Sequence, residues 1–202
     1  MGMRLDRADL LRRVAARITP CVGGWPDLCG PLEAARTCRS RLCLTTAQWL
    51  AGLPALGSVL YAPAVHGVLR GRPLPGQLVE CVELAPLLHT RSLASVSAIT
   101  SDGPREWMEC RDADERLLAR LYLLPDTDYL AWDALYACAG AGSVAAAHAD
   151  AGAWRPASAQ LLRFRLRRHA CLQVLGAEAV DASSTLVRDL AARIARDGAL
   201  LR

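Results

Sequence analysis

The sequence contains no lysine and no asparagine, so all 24 of its basic residues are arginine. This bias is typical of a GC-rich genome and indicates little about function by itself. Arginine still has a chemical consequence, because its planar guanidinium can bind a carboxylate or phosphate through two parallel hydrogen bonds. The net charge of +4 is modest and does not indicate a nucleic-acid partner.

Several patterns that mark common protein classes are also missing. No apolar run approaches the roughly 18 residues of a membrane helix, so no membrane insertion is expected. Charged residues also interrupt the only apolar stretch near the N-terminus, whereas the apolar segment of a signal peptide is uncharged. These observations favour a cytoplasmic location. The absence of GxGxxG, GxSxG and P-loop motifs gives no support to a nucleotide cofactor or to a common hydrolase site.

The eight cysteines include no C-x2-C pair. Without a secretory signal they are expected to be reduced thiols rather than a disulfide framework. Their wide spacing does not favour a structural zinc site, because tetrahedral zinc sites are typically built from closely paired ligands.

The clearest structural signal lies between residues 92 and 140. Three predicted strands, separated by turn-forming residues, lie at 92–100, 105–111 and 116–124. A further turn ends at Asp128, which is suited to cap a helix carrying Trp132 and Leu135 on its inner face. This segment therefore predicts a run of antiparallel strands closed by a helix.

Weaker signals extend this pattern in both directions. Additional helices are predicted at residues 5–18, 31–38, 46–53 and 184–195, and additional strands at 58–61, 65–70 and 78–84. The strands at 58–61 and 65–70 are expected to form a hairpin. The predicted fold class is α+β, an antiparallel sheet with helices packed at its ends.

Five stretches of the chain together resemble one protein family. They read RLCLTTAQWLAGLPALGSVL at 41–60, AVHG at 64–67, REWMECRDAD at 105–114, LLARLYLLPDTD at 117–128 and QLLRFRLRRHACLQVLG at 160–176. These stretches are similar to the haemin-degrading and haemin-transport factors of the HemS, ChuS and HmuS type. The resemblance covers roughly three quarters of the chain.

The resemblance implies a division of the chain. Full members of this family carry two copies of the unit, and this chain has room for one copy plus the helical start of another. The expected parts are a HemS/ChuS-like α+β unit at residues 1–140, an Ala/Gly-rich linker at 141–156 and a helical C-terminal appendage at 157–202. The resemblance favours a helix over residues 160–176, although Leu162, Phe164 and Leu166 alternate with arginines in the period of a strand.

The resemblance also makes haem the expected ligand, and histidine is a common ligand of haem iron. The four histidines are His66, His89, His148 and His169. We prefer His89 as the iron ligand, because it joins an apolar pair, Leu87 and Leu88, to a predicted strand that would hold it rigidly.

In haem-binding family members the axial histidine precedes the helix that follows the first unit. The corresponding stretch here, WRPASAQLL at 154–162, has no histidine. Two interpretations stay open: Gln160 occupies the ligand position, or His148 or His169 replaces the missing histidine. This departure argues against haem degradation.

The densest basic cluster follows Gln160. On the expected helix Arg163 and Arg167 share a face, which could pair with haem propionates, phosphates or an acidic partner. Such a run is more often simply a solvated helix face.

The leading hypothesis is a cytoplasmic haem-binding protein of bacterial haem or iron uptake that passes haem on rather than degrading it. The alternative is a non-catalytic interaction or regulatory protein that keeps the fold without binding haem. The unpaired edges of a single unit would then favour a homodimer or a protein partner.

Overall fold

The computed structural model describes residues 37–65, 69–100, 103–137, 156–181 and 184–200. Within these residues the strands are β1 (Thr37–Leu42), β2 (Ser58–Pro63), β3 (Gln77–Val79), β4 (Ser92–Thr100), β5 (Gly103–Arg111), β6 (Leu117–Tyr122), β7 (Gln160–His169) and β8 (Leu172–Ala179). The helices are α1 (Thr46–Gly52), α2 (Ala85–Leu88), α3 (Tyr129–Ala137) and α4 (Thr185–Leu200), with short 3₁₀ turns at Leu53–Leu56 and Val82–Leu84. The predicted α+β class is therefore confirmed.

The eight described strands form one sheet in the order β1-β4-β5-β6-β2-β7-β8-β3. Every neighbouring pair is antiparallel except β3 and β8, which run parallel. The sheet is therefore mixed, and the prediction of a purely antiparallel sheet is wrong at this one pair. Parallel neighbours need a long crossover, and here almost a hundred residues separate the two strands.

The segment between residues 92 and 137 folds as predicted. Strands β4, β5 and β6 form a meander that is closed by α3. The turn between β5 and β6 is held by Asp112, whose Oδ1 accepts the backbone N–H groups of Asp114 and Arg116 at 2.9 Å. Asp128 caps α3 by accepting the N–H of Ala131 at 3.0 Å.

The predicted helix over residues 160–176 is wrong, because these residues form β7 and most of β8. The alternating pattern indicated the correct period: Leu162 and Phe164 are buried in the core, while Arg163 between them is exposed. Strand β7 pairs with β2, so residues 160–179 belong to the same sheet as the first part of the chain. The predicted helical appendage is therefore wrong for its first half, whereas Thr185–Leu200 in its second half form a helix, α4.

Other predictions around β1 and β2 need correction. Strand β2 pairs with β6 and β7 and not with residues 65–70, so the predicted hairpin is wrong for the part that is described. Thr37 and Cys38 belong to β1 and not to the predicted helix at 31–38. The rest of that helix, the helix at 5–18 and the linker residues 141–155 lie outside the described residues.

The helices cover both faces of the sheet, whereas the sequence predicted them at its ends. Helices α1, α2 and α3 contribute Trp49, Leu87 and Trp132 to the larger core on one face. Helix α4 contributes Val187 and Ile194 to a smaller core on the opposite face. None of the described helices is long and apolar enough to cross a membrane.

Helix α1 begins at a capping box. The backbone N–H of Gln48 donates to Oγ1 of Thr45 at 3.2 Å, and the N–H of Thr45 donates to Oε1 of Gln48 at 3.0 Å. Two N–H groups at the helix start are thereby satisfied. The helix then directs Trp49 and Leu50, both fully buried, into the larger core.

We predict that Phe164→Ala lowers the free energy of unfolding by about 3–5 kcal/mol, the usual cost of removing a buried phenyl ring. Phe164 is buried and makes an edge-to-face contact with Tyr61 of β2, with ring centroids 6.1 Å apart. Urea denaturation followed by far-ultraviolet circular dichroism measures the change.

Leu186→Ala is the matched control, since Leu186 is exposed on α4 and such a surface change usually stays within about 0.5 kcal/mol. Equal stabilities of the two variants would contradict the assignment of β7 to the core of the sheet.

Candidate functional site

A cleft of about 550 Å³ opens where β2 ends. Its lining is mainly apolar and consists of Pro63, Ala64, Val65, Leu69, Val82, Glu83, Pro86, Ala157 and Ser158. Two of these side chains, Val65 and Val82, are 65% and 78% exposed, so the cleft carries apolar surface that is accessible to a ligand.

Hydrogen bonds from three parts of the chain hold the walls of this cleft. The hydroxyl of Tyr61 donates to the carbonyl of Glu83 at 2.7 Å, which ties β2 to the 3₁₀ turn before α2. The N–H of Ala157 donates to the carbonyl of Pro63 at 2.7 Å, which ties the start of the β7 segment to β2. Burial raises the pKa of the Tyr61 hydroxyl well above its ordinary value, so it remains a donor.

His89 lies immediately after α2, the helix that contributes Pro86 to the cleft. The imidazole is half-buried, and its Nδ1 lies 3.1 Å from the carbonyl oxygen of Arg70. A hydrogen bond to that carbonyl requires the proton on Nδ1 and leaves the lone pair on Nε2, the arrangement of many metal-binding histidines. His89 is not one of the residues that line the cleft.

Three exposed arginines lie in the two segments of the chain that meet at His89. Arg70 supplies the carbonyl beside the imidazole, and Arg91 donates to the carbonyls of Thr90 and Arg72. Between Arg70 and Arg72, Gly71 has a positive φ of 78°, which bends the loop. Sequence reasoning missed this group, because Arg91 is distant from the other two along the chain and no local pattern joins them. Arg91 thereby ties the loop at residues 70–72 to the residue that precedes β4.

The two other predicted ligands that the structure describes, Gln160 and His169, do not share a site. His66 and His148 lie outside the described residues. Gln160 and His169 are exposed at opposite ends of β7, about 30 Å apart for a ten-residue strand. Gln160 follows the cleft residue Ser158 closely along the chain, whereas His169 lies at the far end of the strand.

Arg163 and Arg167 share a face, as predicted. Because these residues form a strand and not a helix, alternate residues lie on one face, so Arg165 lies there too. Arg165 donates to Glu80 at 2.6 and 3.2 Å, and Arg167 lies 3.8 Å from the same carboxylate. Arg163 lies 3.8 Å from Glu178. The hydrogen bond from Arg165 lowers the pKa of Glu80. This row is therefore an exposed face with local acidic partners.

Among the residues that the structure describes, the most concentrated charge cluster lies around Glu109 on β5. Its Oε2 contacts Nη2 of Arg39 at 3.1 Å and Nη2 of Arg111 at 2.9 Å. Its Oε1 accepts from Arg120 at 3.1 Å and from the indole N–H of Trp107 at 3.3 Å. The guanidinium carbon of Arg120 also lies 5.3 Å from the Trp107 ring centroid. Sequence reasoning missed the cluster, because its members come from three strands.

The Glu109 cluster is nearly excluded from solvent. The exposed fraction of the side chain is 5% for Glu109 and 20%, 10% and 16% for Arg39, Arg111 and Arg120. Burial alone would raise the pKa of Glu109, but the three guanidinium groups outweigh it and lower the pKa below the ordinary 4.5. Glu109 therefore carries its negative charge at neutral pH.

The cysteines offer little chemistry within the part of the chain that is described. The five there, Cys38, Cys43, Cys81, Cys110 and Cys171, are free thiols. Burial raises the pKa of the Cys110 thiol, so it stays protonated in the core. No group of three His, Cys, Asp or Glu side chains in the described ranges could hold a metal ion.

Two solved structures have a low similarity to this chain. No protein-family model and no curated protein matches its sequence. The haem-degrading enzyme ChuS of Escherichia coli O157:H7 is similar in structure, with 18% identity and a TM-score of 0.40 over 72% of this chain and 53% of ChuS. Holo-PhuS, a haem-binding protein from Pseudomonas aeruginosa, has 16% identity and a TM-score of 0.37 over 71% of this chain and 49% of PhuS. The chain spans about half the length of each.

We predict that Glu109→Gln lowers the free energy of unfolding by about 3 kcal/mol at neutral pH, because three partly buried cations lose their shared counter-ion. Because folding lowers the pKa of Glu109, its contribution to the free energy of unfolding is complete above the ordinary pKa of 4.5. This contribution is lost as the pH falls through the lowered pKa. The difference between wild type and variant should therefore shrink below about pH 4.5. Urea denaturation at a series of pH values measures it.

Glu178→Gln is the matched control. Its exposed ion pair with Arg163 contributes at most about 1 kcal/mol. A difference between wild type and Glu109→Gln that stays constant from neutral to acidic pH would contradict the prediction.

Proposed function

We propose that this protein binds haem at the cleft beside β2 and α2, with His89 as the iron ligand. One observation carries the proposal. Helix α2 contributes Pro86 to the wall of the apolar cleft, and it is followed by His89, whose imidazole is held by the backbone carbonyl of Arg70. The cleft volume of about 550 Å³ lies within the usual range of small-molecule pockets. The sequence resemblance to haemin-transport factors independently supports haem as the ligand.

The residues present fit such a ligand. The apolar lining suits the porphyrin face, while the proton on Nδ1 leaves Nε2 of His89 free to ligate iron. Arg70, Arg72 and Arg91 can pair with the two propionates, because guanidinium groups bind carboxylates bidentately. Bound haem would supply an iron centre that the described residues do not provide themselves.

The proposed role is haem delivery rather than haem degradation. Haem is then a cargo in bacterial haem or iron uptake, and the protein passes it on in the cytoplasm. The absence of histidine from residues 154–162, where the resemblance places the axial ligand, supports delivery over turnover. Exposed walls such as Val65 and Val82 would let a cargo leave without opening a closed cavity.

We predict that haemin added to the purified apo-protein gives a shifted Soret band with near one-to-one stoichiometry. His89→Ala should remove the low-spin component of the spectrum, because the imidazole is the proposed strong-field ligand, and should leave the far-ultraviolet circular dichroism unchanged. Absorption titrations of both proteins test this directly.

His169→Ala is the matched control, since His169 is exposed at the far end of β7. An unaltered spectrum for His89→Ala together with a changed one for His169→Ala would move the ligand to β7. A wild-type spectrum that does not differ from free haemin would overturn the proposal as a whole.

The exposed apolar walls of the cleft also support a second candidate function. Val65 and Val82 would suit an apolar peptide segment as well as a porphyrin. In that case the protein is a non-catalytic interaction or regulatory protein that forms a homodimer or binds a protein partner. Light scattering that shows a monomer, with no co-purifying protein, would count against this alternative.

A further inference from the structure

The carboxylate of Glu80 forms an ion pair that crosses a strand of the sheet. Glu80 follows β3, and its Oε2 accepts from Nη2 and Nε of Arg165 on β7 at 2.6 and 3.2 Å. Its Oε1 lies 3.8 Å from Nη1 of Arg167. Strand β8 lies between β3 and β7, so the two side chains meet above β8. The ion pair therefore fastens the end of β3 to a strand with which β3 does not pair.

Gly176 on β8 makes room for this ion pair. It lies opposite Arg165 in the β7–β8 ladder, and it follows Leu175, whose carbonyl accepts the N–H of Glu80 at 2.9 Å. A methyl group added at Gly176 would lie 2.5 Å from Cδ of Glu80 and 2.8 Å from Nε of Arg165. Both groups belong to flexible side chains, so alanine at this position would displace the ion pair rather than the strands.

The ion pair stands at the start of the segment that forms one wall of the cleft. Val82 and Glu83, which line the cleft, follow Glu80 closely along the chain. The side chains of residues 80–83 are exposed, and the next buried side chain is that of Leu84. Burial in the core therefore contributes little to holding this wall in place.

Polar contacts hold both ends of the wall. The hydroxyl of Tyr61 donates to the carbonyl of Glu83 at 2.7 Å and fastens one end to β2. The ion pair with Arg165 fastens the other end to β7. Tyr61 is buried, whereas the side chains of Arg165 and Glu80 are 41% and 26% exposed. The ion pair is therefore the contact that can open without disturbing the core.

We propose that the Glu80–Arg165 ion pair is a latch that positions the cleft wall at Val82 and Glu83, and that its opening lets this wall move and a bound ligand leave. Charge-assisted hydrogen bonds direct the contact, while partial exposure keeps it weak enough to open. The hydrogen bond from Arg165 lowers the pKa of Glu80, so the pair is charged at neutral pH. Retention of haem by the latch rests on the proposed function, whereas movement of the wall does not.

Hydrogen exchange of the apo-protein tests the latch without any ligand. Mass spectrometry of peptides measures the exchange of the backbone amides at residues 77–84. Glu80→Gln should speed this exchange about two- to fivefold, the range that exposed ion pairs contribute. Glu178→Gln removes the same charge from the exposed pair with Arg163 and should leave the exchange of residues 77–84 unaltered. Exchange at the wild-type rate in Glu80→Gln, or equal acceleration in both variants, would overturn the proposal.

Gly176→Ala breaks the latch without changing the net charge. It should speed the exchange of residues 77–84 as much as Glu80→Gln does, and the double variant should exchange no faster than either single variant, because all three lose the same contact. Arg165→Gln takes its place if Gly176→Ala does not fold. Additive effects, or wild-type exchange in Gly176→Ala, would overturn the role of the ion pair.

The rate of haemin release tests whether the latch retains haem. The rate is measured by transfer of haemin from the loaded protein to excess apomyoglobin. Gly176→Ala should release haemin about two- to fivefold faster than the wild type, in proportion to the opening of the latch. Equal release rates together with faster exchange would overturn retention by the latch. A wild-type protein that binds no haemin would overturn the proposed function, and the exchange result alone would then decide whether the wall is latched.

Discussion

Strand β2 is the element on which the rest of the structure depends. Each of its six residues is buried, and it pairs with β6 on one side and with β7 on the other. It is therefore the only link, among the described strands, between the β1-β4-β5-β6 half of the sheet and the β7-β8-β3 half. Alternate side chains of β2 also enter the two different cores, with Tyr61 on one face and Leu60 on the other. Where β2 ends at Pro63, the cleft begins.

The two faces of the sheet have different chemistry as a result. One face buries a large apolar core under α1, α2 and α3. Pro86 of α2 lines the apolar cleft, and His89 follows the end of that helix. The other face has a smaller core under α4, and beside it charged side chains occupy sheet positions, most densely around Glu109.

The sequence predicted the local structure well and the long-range structure poorly. Residues 92–137 could be predicted because turn residues such as Asp112 and caps such as Asp128 act within a few positions. The pairing of β7 with β2 depends on contacts about a hundred residues apart, and the family resemblance outweighed a correct strand period there. The candidate site divides in the same way: single histidines such as His89 could be nominated, but the three-strand assembly around Glu109 has no local signature.

The order of the strands has a consequence for how the chain folds during its synthesis. Ser58 and its neighbours in β2 leave the ribosome well before Arg163 and the rest of β7, which cover one edge of β2 in the finished sheet. Until then the backbone N–H and C=O groups of a largely apolar strand have no partner on that side, and such an edge is prone to join the strands of other molecules. Efficient production of this protein therefore depends on how quickly its C-terminal hairpin reaches β2, a slow long-range closure that a chaperone would be expected to protect.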